Sequence, residues 1–166
     1  MLLERLHAHF KYLDQQIAEI EKDLTRQVTE DDFGQRLMTV PGIGPITASV
    51  PAAEVGDGKP YRCGRDFAAA VGLVPRQYST GGKNKLLGIS KRGVKNLRRL
   101  LVQCARAYMQ RLEPQRGQLA QWVRAMLTRR HSNVVACTLA NKLARMAWAI
   151  AAHHTEFEIK EAPMTT

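Results

Sequence analysis

The stretch PRQYSTGGKNKLLGISKRG, residues 75 to 93, gathers the residue types that phosphate chemistry needs. Ser79, Thr80 and Ser90 supply hydroxyls, and Arg76, Lys83, Lys85, Lys91 and Arg92 supply cations. Gly81 and Gly82 allow a backbone to come close to a ligand. An exposed hydroxyl among cations can attack a phosphodiester, the cations stabilising the charge that builds on the phosphorane. The same residues also suit a plainer arrangement, a glycine-rich loop that clamps phosphate with Ser90 as a helix cap. Spacing alone favours the plainer role for Ser90 and identifies no catalyst.

A second constellation precedes it. In Thr39-Val-Pro-Gly-Ile-Gly-Pro-Ile-Thr-Ala-Ser49 an apolar residue, a proline and a Gly-x-Gly turn lead into a small-residue helix start. That is the pattern of a helix-hairpin-helix, whose turn aims backbone N–H groups at one point; Gly42 and Gly44 would let a phosphate approach them. A tight turn between two helices with no ligand reads the same way.

Charge placement sharpens the choice of ligand. The chain has 25 Lys and Arg against 15 Asp and Glu, a net charge of +10. Between Phe67 and Leu112 there is no acidic residue, while ten basic ones fall there, the last five being Lys95, Arg98, Arg99, Arg106 and Arg111. The whole surplus therefore lies in that segment. Scattered excess charge is usually a solvated face; a concentrated surplus with glycine turns inside it points to nucleic acid. A membrane surface is the weaker polyanion, since the basic stretch has no tryptophan to anchor it.

Other classes are disfavoured. At 166 residues the chain suits one core-bearing domain with an appended helix. No long uninterrupted apolar run suggests a membrane span, and MLLERLHAHF carries too much polarity for a signal peptide. Three cysteines without a CxxC fit neither a disulfide framework nor a zinc ribbon, so a reducing cytosol is the expected compartment. No acidic cluster falls in the basic segment, so no two-metal nuclease centre is expected within this chain. Its five histidines suit capping or solvation, and Trp122 and Trp148 suit the core.

The elements that must position these residues are mostly helical. Leu3, Leu6, Phe10, Leu13, Ile17, Ile20, Leu24 and Val28 follow a heptad stripe, which predicts a helix over 3–28. It could pack on its own domain or coil against a second copy. Asp31, Asp32 and Gly34 should break it. Pro45 suits a first helical turn, and Pro51 should kink or shorten the same helix. Gly56, Asp57 and Gly58 should close that unit, with a short helix over 65–72 after it. Residues 75–89 read as loop or hairpin. Ser90 should cap a helix through about Arg111 with Val94, Leu97, Leu101, Cys104, Tyr108 and Leu112 inward. Helices over about 119–129 and 133–152 follow, the latter with Val135, Leu139, Leu143, Met146 and Ile150 inward. The expectation is an all-α fold: a coiled-coil-type arm (1–33), a compact helical domain with a helix-hairpin-helix and a glycine-rich basic loop (34–153), and a frayed tail (154–166).

In this order, VPGIGPITAS, AEVGDGK, GRDFAAAVGLVPRQYSTGGK and LLGISKRGVKNLRRLLVQCARA resemble the C-terminal transposase domain of a bacterial insertion-sequence family. Its members join this serine-bearing domain to an N-terminal RuvC-like DEDD nuclease domain through a coiled-coil arm, and some act as bridge-RNA-guided recombinases. The resemblance covers residues 1 to about 153 and is most specific from Val40 to Ala107. It implies binding to DNA and a guide RNA and a serine that attacks a DNA strand; self-association through the arm is expected from the heptad stripe. Gap-free spacing from Pro75 and Arg76 puts that serine on Thr80; Ser79, a less hindered nucleophile one place earlier, is the first choice and Thr80 its rival. The DEDD acidic residues have no counterpart here, so the chain itself needs no cofactor and Mg2+ is expected only with that domain. The alternative is a non-catalytic nucleic-acid-binding module or a truncated remnant.

Overall fold

The heptad stripe forms one uninterrupted helix, α1 (Leu2–Glu30), a little longer than its apolar repeat. Asp31 ends it in an extended conformation and turns its carboxylate onto the Gly34 N–H at 2.7 Å, capping the next helix, α2 (Asp32–Met38). The computed structural model describes residues 1–55, 58–83 and 85–159. In it, only the end of the α1 stripe touches the body: Val28 is buried and Leu24 half-buried, while Leu3, Leu6, Phe10, Leu13, Ile17 and Ile20 are exposed. The first five turns thus form a projecting rod of roughly 30 Å.

After α2 the chain turns tightly through Thr39–Gly44, burying Val40 and Ile43, and enters α3 (Pro45–Val55). Pro45 occupies the first helical position, as expected. Pro51 neither ends nor shortens α3, which runs four residues past it. A proline removes one bond, here the one that Thr47 would accept, and the remaining ladder holds. The expected closure at Gly56 and Asp57 lies outside the described residues. Gly58, at φ 73°, sits against Ala151 and Ala152.

The short helix α4 (Gly64–Ala70) buries Phe67 and Ala68, with Gly64 backed onto Arg145. A ribbon of two antiparallel strands follows, β1 (Pro75–Gln77) and β2 (Leu86–Ile89). Three helices complete the body: α5 (Lys95–Gln110), α6 (Gly117–Leu127) and α7 (Ser132–His153). The last is the central post of the bundle, contacting α4, α5 and α6. Its buried face alternates Val135, Leu139, Leu143 and Ile150 with five alanines, whose small size lets neighbouring helices approach closely. Met146, expected inward, is only half-buried. Length and composition would let α7 cross a bilayer, which the sequence reading did not anticipate, but half of its apolar window is buried among the other helices.

Two side chains pin the connections to this post. Asn141 Nδ2 donates to the Leu73 carbonyl at 3.1 Å, and Trp148 Nε1 faces the Gly58 and Tyr61 carbonyls at 3.2 Å each. His131 caps α7, its Nδ1 accepting from the Asn133 N–H. Beyond α7, residues 155–159 are non-helical, as in a tail, yet they are tied down. The Phe157 N–H donates to Thr39 Oγ1 at 2.9 Å, and its ring packs on the core.

α5 starts four residues later than a cap at Ser90 would place it. Ser90 does not cap it; Val94 stands at the cap position with no side-chain hydrogen bond. Residues 90–94 are instead held against 70–74: the N–H groups of Ser90, Lys91 and Val94 donate to the carbonyls of Val74, Gly72 and Ala70. This pairing continues the β-ribbon down to the body, and a chain committed to it cannot also be helical.

Candidate nucleic-acid interface

The ribbon turns at Thr80-Gly81-Gly82-Lys83. Both central glycines have positive φ, 60° and 77°, as a type I′ hairpin turn requires, and the Lys83 N–H donates to the Thr80 carbonyl at 3.1 Å. A side chain on either glycine would meet nothing within 4 Å, so these glycines serve the turn and leave its tip open. Tyr78 N–H bonds the Lys85 carbonyl and Gln77 pairs with Leu86; the register slips by one residue between Gln77 and Pro75.

That register sorts the side chains. Directly paired residues share a face and neighbours along a strand alternate. Tyr78, Lys85, Thr80 and Lys83 therefore occupy one face, and Gln77, Leu86 and Ser79 the other. Gln77 Nε2 donates to Ser79 Oγ at 2.8 Å, consistent with that assignment. The two candidate hydroxyls thus point to opposite sides: Thr80 lies across from one lysine and diagonal to another, Ser79 beside a neutral amide. Nearly all of the ribbon's described residues are exposed, and among them only Ile89 is half-buried.

Below the ribbon, Lys91 and Arg92 are exposed on the crossing segment, and Lys91 adopts φ 57°, unusual for a residue with a side chain. Lys95 and Arg99 are exposed on the first turns of α5, Arg99 bonding Asn96 Oδ1 at 3.0 Å. Among the described residues, none of the ten cations from Arg76 to Arg111 forms an ion pair with a carboxylate. Arg76, Lys83, Lys85, Lys91, Arg92, Lys95 and Arg99 are therefore a continuous run of exposed positive charge in sequence.

Three expected ligand-binding residues have structural work of their own. Arg98 is half-buried and its Nη1 donates to the carbonyls of Val71 (2.9 Å) and Arg92 (3.2 Å), clasping the ribbon's base to α5. Gly42, at φ 90°, packs so that a side chain would lie 3.0 Å from the Cys104 carbonyl oxygen. The Gly44 N–H is turned toward the Cys104 sulfur, which in turn bonds Thr47 Oγ1 at 3.1 Å. Burial raises the Cys104 thiol pKa above its ordinary value despite those two bonds.

Sequence reasoning passed over Tyr78, Gln77, Gly72 and Gly93. Hairpin periodicity would have flagged the first two, since a type I′ turn at Gly81-Gly82 sets every pairing above it. The two glycines carry no local signal, because their partner is distant in the chain.

The structure defines the class as a helical domain that carries an exposed basic β-ribbon. A profile described as the transposase IS116/IS110/IS902 family matches residues 34–121, and this chain belongs to that family. The chain is 65% identical, over 94% of its length, to the transposase for insertion sequence element IS1328 of Yersinia enterocolitica, of which it covers 47%. It is 37% identical, over 90% of its length, to the transposase for insertion sequence element IS1111A of Coxiella burnetii, of which it covers 41%. The chain spans less than half the length of these two relatives.

Proposed function

We propose that this chain is the DNA-binding and hydroxyl-bearing part of a transposase, and that strand transfer needs a second, DEDD-type domain. Its partners on this reading are DNA and a guide RNA, and α1 joins two copies through its exposed heptad stripe. The observation that carries the reading is the run of cations from Arg76 to Arg99, without carboxylate partners among the described residues, on a ribbon with open glycines at its tip, the segment below it and the first turns of α5. Phosphate contacts of this kind position a duplex without reading its sequence.

In the proposed step a ribbon hydroxyl oxygen bonds to phosphorus. The bond from phosphorus to a sugar oxygen breaks, and the hydroxyl proton passes to the departing alkoxide. Lysines near the attacked phosphate stabilise the added negative charge. Among the described residues no three His, Cys, Asp or Glu side chains gather to hold a metal, so a cation site is assigned to the second domain and none of this chain's residues is given that role.

Ser79 is the first choice of nucleophile, being the less hindered alcohol. A specific observation supports Thr80 as the second reading: it shares a face with Lys83 and Lys85, whereas Ser79 accepts a bond from Gln77. The test supplies the chain with a DEDD-type domain, guide RNA and donor DNA and looks for a covalent protein–DNA adduct. Loss of the adduct in Ser79→Ala, with DNA binding retained, supports Ser79; loss in Thr80→Ala alone supports Thr80. An adduct that survives both changes removes the nucleophile and leaves a phosphate clamp, the non-catalytic alternative.

A further inference from the structure

Tyr78 is the one aromatic residue on the ribbon, and its side chain is 65% exposed. It stands across from Lys85 on the face that also carries Lys83 and Thr80. Among the described residues no ring or cation stacks on it. A large flat side chain held out in water on a two-stranded ribbon gains nothing for the fold. Bundle packing does not explain it, since among the described residues both strands of the ribbon are almost wholly exposed. An exposed ring between cations is, however, the arrangement that binds an unpaired nucleotide: the ring stacks on the base while the cations hold the flanking phosphates.

We infer that Tyr78 stacks on an unpaired base of DNA, so that the ribbon prefers strand-separated DNA to intact duplex. This rests on the DNA-binding reading above and deepens it by naming the form of substrate. The ribbon's two faces suit such a junction: the aromatic, cationic face takes the unpaired strand, and the neutral face of Gln77, Ser79 and Leu86 is left for the other. Leu86, 63% exposed, then lies against DNA and not in water.

The test measures binding of the full chain to three oligonucleotides of one sequence: an intact DNA duplex, the same duplex with a central unpaired bubble, and the bubble built in RNA. The unaltered chain should prefer the DNA bubble over the duplex by about tenfold, the size of one base–aromatic stack. Tyr78→Ala should erase that preference, while Tyr78→Trp should keep it. Circular dichroism of each variant shows that the fold is intact. An unchanged preference in Tyr78→Ala overturns the inference, as does no preference in the unaltered chain, or a Tyr78-dependent preference seen with the RNA bubble alone. Absence of binding to all three would instead overturn the DNA-binding reading itself.

Discussion

Gly72 and Gly93 cross where the ribbon joins the body, each leaving room for the other's strand. A methyl group on Gly72 would lie 1.9 Å from the Arg92 carbonyl oxygen, and one on Gly93 would lie 1.7 Å from the Ala70 carbonyl oxygen. Both residues also have positive φ, 79° and 83°. Backbone is what each methyl group would strike, so no side-chain rotation can relieve the clash. The ribbon's attachment to the body therefore depends on two absent side chains.

Gly93→Ala should destabilise the protein by about 3 kcal/mol or more, through a forced backbone shift and an unfavourable φ. Gly81→Ala is the control, since it meets open space and only its φ opposes the change, at a cost of about 1 kcal/mol. Urea unfolding of the two variants should separate them clearly. Equal midpoints would show that the crossing is not tight.

DNA binding should depend on salt in proportion to the phosphates contacted, with a slope of about 0.9 per contact on duplex. Replacing Lys91, Arg92, Lys95 and Arg99 with alanine should flatten the slope and weaken binding to unrelated sequences equally. Arg98→Ala should behave differently, lowering the melting temperature because the Val71 and Arg92 carbonyls lose their donor. A titration in which the fourfold variant keeps its slope would remove these residues from the interface.

The exposed stripe on α1 should mediate self-association. Ile17→Asp should convert an oligomer to a monomer with little loss of helicity, because a carboxylate at a paired seam is desolvated while one on a solvated helix is not. Sedimentation over a range of micromolar concentrations is the check. An unaltered protein already monomeric there would leave α1 a free rod.

Cys104 should resist alkylation in the native protein. Burial favours the neutral thiol, and the folded pKa lies above the ordinary value of 9.0. The stability this contributes is fully present below pH 9 and declines as pH rises from there toward the folded pKa, since only the unfolded chain then releases the proton. Cys104→Ser should abolish that decline. Rapid labelling of Cys104 at pH 8 under native conditions would contradict the burial on which the argument stands.

Much of this protein is local in origin and so was readable from its residues. The α1 stripe, the acidic break at residues 31–32, the alternation along α7 and the all-helical body each follow from periodicity and capping within one segment. The concentration of positive charge needed only a count, and it marked the segment that the structure displays. Two local readings failed. Pro51 was expected to kink or shorten α3 and does not shorten it, and Ser90 was expected to cap α5, where Val94 holds the cap position.

What tertiary structure decided is a matter of distance along the chain. The late start of α5 comes from hydrogen bonds between 90–94 and 70–74, and the clasp of Arg98 comes from carbonyls that only the fold brings near. The contact of the Cys104 thiol with Thr47 Oγ1 joins residues 57 apart in sequence. Ser79 and Thr80 are neighbours with nearly the same chemistry, and nothing in their order says which one faces the lysines. Pairing across the hairpin does, because a strand alternates its side chains and one step in register exchanges the faces.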